Sequence, residues 1–198
     1  MREPAPAAVP DQAPGEVPGE VPGMWTRRGP YELSWETLGR MLERIAAGVR
    51  AAGFAPDVVL GVARGGLPAA SYLTCVLDAP VLRTVRVRRT RDDGQYAAKR
   101  APELEVAELP GVGAGTKVLV VDDIVGTGAT AEAVRAHLLG LGVAGRDLRF
   151  AALVRNHRAD YRPDHCPAVI DDWIVFPWEE GWGRTAGARP LPLPEGGA

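Results

Sequence analysis

Val118-Leu-Val-Val-Asp-Asp-Ile-Val-Gly-Thr-Gly-Ala-Thr130 joins an apolar run, two acids and a glycine-threonine turn in thirteen residues. Val118 to Val121 are apolar and mostly β-branched, the composition of a strand buried on both faces of a parallel sheet. Asp122 and Asp123 follow at its C-terminal end, then a Gly-Thr-Gly-Ala-Thr turn, then a helical stretch over about Ala131 to Leu141. In open α/β sheets, ligands bind just beyond the carboxyl ends of the strands. Glycines there let backbone N–H groups approach an anion, and the helix N-terminus adds a favourable dipole. Thr127 and Thr130 offer hydroxyl donors to the same anion. The segment therefore reads as a phosphate cradle, with two acids upstream placed to grip the hydroxyls of a sugar phosphate. Helix caps and a tight turn alone would explain the residue types, but not two acids, two glycines and two threonines in this order.

Working outward, Ser34 before Trp35-Glu-Thr-Leu gives a helix N-cap. Leu38, Met41, Leu42, Ile45 and Val49 then recur at helical spacing until Gly53 and Pro56 stop the helix. Val58 to Val62 read as a second buried strand, followed by Ala63-Arg-Gly-Gly-Leu-Pro-Ala-Ala and a helix to about Leu77. Val81 to Arg89 alternate as a strand, Leu148 to Val154 form another, and Val169 to Phe176 make a last, shorter one. Strands alternating with helices predict an α/β fold, a doubly wound parallel sheet with right-handed crossovers.

At 198 residues and 46% hydrophobic, the chain can bury one sizeable core, which favours a single domain over residues 30–185. Residues 1–29 are rich in Pro, Ala and Gly and repeat Pro-Gly-Glu-Val between Pro14 and Val21. Such a stretch cannot bury enough apolar surface to offset ordering entropy, so it reads as a disordered extended tail. Residues 186–198 read as a second loose tail. A net charge of −2 argues against a surface built for nucleic acid. No apolar run approaches the ~20 residues of a membrane span, and the N-terminus lacks the apolar core of a signal peptide. Cys75 and Cys166 lie far apart in no metal-spaced cluster, which suits buried thiols in a reducing cytoplasm.

The Val118 to Thr130 string closely resembles the 5-phosphoribosyl-1-pyrophosphate (PRPP) signature of type I phosphoribosyltransferases. The resemblance implies that Asp122 and Asp123 hold the ribose hydroxyls, directly or through Mg²⁺, with Asp123 as the metal ligand. It implies that Gly126, Thr127, Gly128, Ala129 and Thr130 cradle the 5′-phosphate. A second string, Gly61-Val-Ala-Arg-Gly-Gly-Leu67, also ends a buried strand in glycines and adds a cation. Alone it reads equally well as a plain connection with an exposed arginine. Beside the first motif it resembles the family's pyrophosphate loop, in which Arg64, Gly65 and Gly66 bind the leaving group, often through an unusual backbone conformation.

Arg83-Thr-Val-Arg-Val-Arg-Arg-Thr-Arg91 holds five arginines in nine residues. Charge runs are usually solvated faces. A substrate with three phosphate groups nevertheless needs cations, and Arg86 and Arg88, on the face opposite Val85 and Val87, are assigned to pyrophosphate. The polar stretch from Thr90 to about Glu105 matches the mobile hood loop that closes over PRPP in relatives, where closure excludes water. Lys99 or Arg100 would reach the pyrophosphate from it. Near the C-terminus, Asp172-Trp-Ile-Val-Phe-Pro-Trp-Glu179 resembles the base-binding end of xanthine–guanine and hypoxanthine phosphoribosyltransferases. That match stacks Trp173 on the base and lets backbone groups around Trp173 and Ile174 read its polar edge. Phe176 and Trp178 read as core or dimer-contact aromatics.

Two positions depart from the family pattern, both in the half of the site that chooses the base. Gly126 stands where many users of 6-oxopurines carry an aspartate, the general acid/base at the purine N7. Arg155 stands where those enzymes usually carry a lysine facing the 6-oxo group, and an arginine fork is not a conservative substitute. The expected protein is a cytoplasmic, Mg²⁺-dependent, homo-oligomeric enzyme of purine salvage. It transfers phosphoribosyl from PRPP to a ring nitrogen of a heterocyclic base. The alternatives are an unusual base in a specialised biosynthetic pathway, or a non-catalytic PRPP-sensing regulator.

Overall fold

The central strand is longer than its apolar run. In the computed structural model, which describes residues 24–88, 101–105 and 108–193, β5 covers Val118–Val125 and carries both acids within it. It lies between β2 (Val58–Ala63) and β6 (Leu148–Asn156), parallel to both, and the six-stranded sheet runs β4-β3-β2-β5-β6-β7. β3 is Val81–Arg88 and β7 is Ala168–Ile170, each parallel to its neighbour. β4 (Glu103–Glu105) closes one edge antiparallel to β3, a departure from the all-parallel expectation that large sheets tolerate at an edge.

Alternation along the strands explains the double winding. Leu119 and Val121 of β5, Val59 of β2 and Leu153 of β6 pack in one core with Met41, Ile45 and Val49 of α1 (Trp35–Ala51) and Ala70 and Leu73 of α2 (Leu67–Val76). Positions of opposite parity on the same strands, Val118, Val120, Leu60 and Phe150, point to the other face, where α3 (Ala129–Gly140) buries Val134 and Leu138 against them. The α1 stripe is the one its spacing predicts, and its N-cap is Ser34, whose side chain accepts from the Thr37 N–H at 3.1 Å. Removing that cap with Ser34→Ala is expected to lower stability by ~1 kcal/mol, read as a small drop in Tm.

Both ends of the folded unit extend past the sequence-based boundaries. β1 (Tyr31–Glu32) pairs in parallel with β8 (Ile174–Val175) and with β9 (Arg189–Pro190), making a three-stranded sheet. Leu191 is buried behind it. Part of the expected C-terminal tail is therefore a strand held by long-range pairing, which local composition does not encode. At the other end, Met24 and Trp25 are buried, although both fall within the expected N-terminal tail. Residues 1–23 of that tail lie outside the described residues, as do 194–198. The single strand expected over Val169 to Phe176 is two strands, β7 and β8, in different sheets, separated by Asp171, Asp172 and Trp173.

Candidate active site

Parallel pairing of β2 with β5, from Val58↔Val118 to Gly61↔Val121, delivers the two glycine loops side by side at the C-terminal ends of the two central strands. A cavity of about 210 Å³ opens between them, lined by Arg64 and Gly65 from one loop and by Asp122, Asp123, Gly126 and Thr130 from the other, with Val87 of β3 alongside. That is below the ~300 Å³ and more of a complete small-ligand site. Trp173, expected to stack on the base, lies outside this lining.

The glycines have steric causes. A Cβ on Gly65 would stand 1.7 Å from Asp123 Oδ2, and one on Gly66 would stand 2.5 Å from the Val121 carbonyl oxygen. The first neighbour is a side-chain tip that can swing away, at the cost of moving the acid. The second is backbone of the central strand and cannot yield. Gly66→Ala is therefore expected to cost about 1–3 kcal/mol, a Tm drop of roughly 2–12 °C in a melting experiment. The Ala63–Arg64 peptide bond is cis. In the second loop Gly128 has φ +96° at the N-cap of α3, and a Cβ there would lie 2.3 Å from Tyr161 Cβ. Thr127 Oγ1 accepts from the Ala129 N–H at 3.3 Å, turning the chain into the helix.

The acids are held by their own backbone. Asp122 Oδ1 accepts from the Asp123 N–H at 2.9 Å, and Asp123 Oδ1 accepts from the Ile124 N–H at 2.7 Å. Glu179 adds a third carboxyl to the neighbourhood. Its Oε2 accepts from the Phe176 N–H at 2.9 Å. Although Glu179 is exposed at the surface, partial desolvation of its carboxyl, and then the charge of Asp123, raise it from the ordinary carboxylate value, against the pull of that hydrogen bond. Among the described residues, no cluster of three or more His, Cys, Asp or Glu could enclose a metal by itself. Magnesium is usually held by one or two carboxylates together with substrate phosphates, and the acids of this cavity fit that mode.

Other expected site residues are placed elsewhere. With Val87 facing the cavity, Arg86 and Arg88 project from the other face of β3. There Arg86 Nη1 lies 3.4 Å and Arg88 Nε 2.6 Å from the Glu105 carboxylate of β4. Neither arginine lines the cavity, and their assignment to pyrophosphate remains an expectation. Arg155 pairs in register with Val125, one strand away from the cavity, and its Nη1 donates to the Asn156 and Ala159 carbonyls at 3.2 Å each. Ile174 is buried in the core, and the Trp173 carbonyl accepts from the Tyr31 N–H at 2.7 Å, so that carbonyl serves the small sheet. Phe176 stacks on Trp178 with centroids 4.8 Å apart, the core role expected of them. Most of the hood stretch, including Lys99 and Arg100, lies outside the described residues; its end forms β4.

Sequence reasoning missed two neighbours of the site. Tyr161 packs on the Gly128 turn and, edge-on, against Phe150, and burial first, then Asp164, pushes its phenol up to about 12, so it stays neutral. Nothing in its local sequence marks it. Trp25 meets the Trp173 ring edge-on at 5.7 Å, and the signal was available: a tryptophan is out of place in a proline- and glycine-rich tail.

The family model described as "Phosphoribosyl transferase domain" matches residues 33–184. A xanthine-guanine phosphoribosyltransferase of Roseobacter denitrificans is 28% identical over 158 residues, covering 75% of this chain and 85% of that protein. The purine phosphoribosyltransferase of Pyrococcus horikoshii superposes with a TM-score of 0.64 at 32% identity, over 75% of this chain and 93% of that one. The xanthine-guanine-hypoxanthine phosphoribosyltransferase of Helicobacter pylori gives 0.62 at 25% identity, over 76% and 94%.

Proposed function

Because the chain belongs to the phosphoribosyltransferase family, we propose that it transfers the 5-phosphoribosyl group of PRPP to a ring nitrogen of a purine or purine-like base, giving a nucleoside 5′-monophosphate and pyrophosphate. The observation that carries this reading is the convergence of both glycine loops and both acids on one cavity. The cradle of Gly126 to Thr130 holds the 5′-phosphate with backbone N–H groups at the α3 N-terminus and the Thr130 hydroxyl. Asp122 and Asp123 lie toward the ribose. Arg64 and the amides of Gly65 and Gly66 take the pyrophosphate, with Arg86 and Arg88, paired to Glu105 in this structure, as further proposed cations.

As the bond from C1 to the pyrophosphate oxygen breaks, that oxygen takes the electron pair and the ribose becomes oxocarbenium-like. The carboxylates oppose the growing positive charge, a preorganised electrostatic effect. The base nitrogen then bonds to C1 with its lone pair, and its proton passes to solvent water. Magnesium, held by Asp123, would neutralise the diphosphate charge. Chelation with EDTA is expected to abolish pyrophosphate release and added Mg²⁺ to restore it; turnover untouched by EDTA would contradict the metal assignment.

The acceptor stacks on Trp173, beside Arg155. Trp173→Ala should therefore raise the KM for the base by roughly five- to hundred-fold, with little change for PRPP, since a stacking platform contributes ~1–3 kcal/mol per base. Equal rises for both substrates with a lowered Tm would make Trp173 a packing residue. Among the described residues no helix is long and apolar enough to cross a membrane; Cys75 is exposed and Cys166 half-buried, where burial was expected of both, and as free thiols they suit the proposed cytoplasmic location. Trp35, 57% exposed beside Trp178, offers an apolar face for the proposed homo-oligomer, which sedimentation velocity would read directly.

A further inference from the structure

Among the described residues, two polar side chains are fully buried, Asn156 and Asp172, and both serve the same stretch of chain, Met24 to Arg28. Asn156 Nδ2 donates to the Met24 carbonyl at 2.8 Å, while its Oδ1 accepts from the Arg158 N–H at 2.9 Å. Asp172 divides its two oxygens. Oδ1 accepts from the Trp173 N–H at 2.7 Å; Oδ2 accepts from the Arg28 N–H at 2.7 Å and from the Thr26 hydroxyl at 3.3 Å. The Thr26 N–H donates to the Asp171 carbonyl at 2.9 Å.

A carboxylate without solvent is costly to bury unless its oxygens are satisfied, and removing its partners strands the charge. A fold that only needed to cover an apolar patch with a tail would not require one here. This carboxylate couples the backbone of Trp173 to the strap that carries Trp25, and the two indoles meet at 61° with centroids 5.7 Å apart. That edge-to-face contact fixes a ring plane, which neither hydrogen bond can do alone.

We propose that Met24 to Arg28 form a wall of the acceptor-base site, in which Trp25 sets the plane of the Trp173 ring and Asp172 is the positioning residue that ties wall to platform. This rests on the reading of Trp173 as the base platform. Trp25 thereby becomes a determinant of acceptor choice: it holds the platform at one inclination, selecting planar heterocycles that present their acceptor nitrogen to C1 at that angle.

The test uses the full chain with PRPP, Mg²⁺ and the purine that wild type turns over best. Trp25→Leu keeps apolar volume and removes the ring edge; Trp25→Phe restores an edge. Trp25→Leu is expected to raise the KM for the base by roughly two- to ten-fold, the fold-change of an aromatic edge contact, and to leave the KM for PRPP unchanged. Trp25→Phe should recover most of that loss. Combining Trp25→Leu with Trp173→Ala should do no more harm than Trp173→Ala alone, because Trp25 acts through that ring. A Trp25→Leu protein that melts earlier yet keeps its base KM, or that loses both substrates equally, would overturn the wall. So would Trp25→Phe behaving like Trp25→Leu. Trp173→Ala run in parallel separates the two ideas. If it raises the base KM while Trp25→Leu does not, only the wall fails. If it leaves the base KM unchanged, the platform reading fails and the wall with it.

Discussion

Replacing Asp122 and Asp123 together by asparagine is expected to lower kcat/KM for PRPP by at least ~10²-fold, the scale of losing a preorganised electrostatic stabiliser. The substitution spares the fold for a visible reason. Each carboxylate uses one oxygen to accept a backbone N–H, from Asp123 and from Ile124, and an amide oxygen can accept the same bond. What it removes is charge, at the point where β5 delivers both residues to the cavity wall. A melting temperature close to wild type together with the kinetic loss would place the effect in the chemistry. Near-wild-type turnover would sink the phosphoribosyl-transfer mechanism.

Gly126→Asp is the second large effect, and it runs the other way. General acid–base help is typically ~10²–10⁴-fold, and Gly126 offers no group to manage the purine N7 proton. Gly126 lines the cavity and is not among the glycines with positive φ, so an aspartate there meets no left-handed backbone. Activity on hypoxanthine or guanine is expected to rise in Gly126→Asp, alone and combined with Arg155→Lys. Arg155 is tied to the Asn156 and Ala159 carbonyls, so Arg155→Lys alone should gain little. If wild type already turns over these bases at ordinary rates, another acid must serve, and the structure narrows the choice. Asp172 is buried with both oxygens engaged, and Asp171 is held by the Tyr31 hydroxyl and Arg189. Glu179, raised from the usual carboxylate value beside Asp123, is the one to mutate first.

The parts legible in the sequence were those written in local periodicity and loop chemistry. The α1 stripe, the buried β2 and β5 runs and the two glycine loops all depend on residues adjacent in the chain. The neighbouring positions of the two loops followed from the fold class. What was not legible depends on distant partners. Alternation in β3 grouped Arg86 with Arg88 correctly, but only the position of β5 decided that Val87, not the arginines, would meet the cavity. The break between β7 and β8 arises because Ile174 pairs with Tyr31 in a second sheet. Residues 24–28 were hidden by their setting, since composition averages over a window and one tryptophan barely moves that average.

Phosphoribosyl transfer is read directly by incubating the protein with PRPP, Mg²⁺ and each of a panel of bases: xanthine, guanine, hypoxanthine, adenine and modified heterocycles. Pyrophosphate release and product mass are followed together. The account predicts equal amounts of pyrophosphate and of a nucleoside 5′-monophosphate with at least one purine or purine-like base. Transfer only to a modified heterocycle would keep the reaction and move the enzyme to a specialised pathway. Tight PRPP binding with no nucleotide from any base would contradict the account and leave a sensor in place of an enzyme.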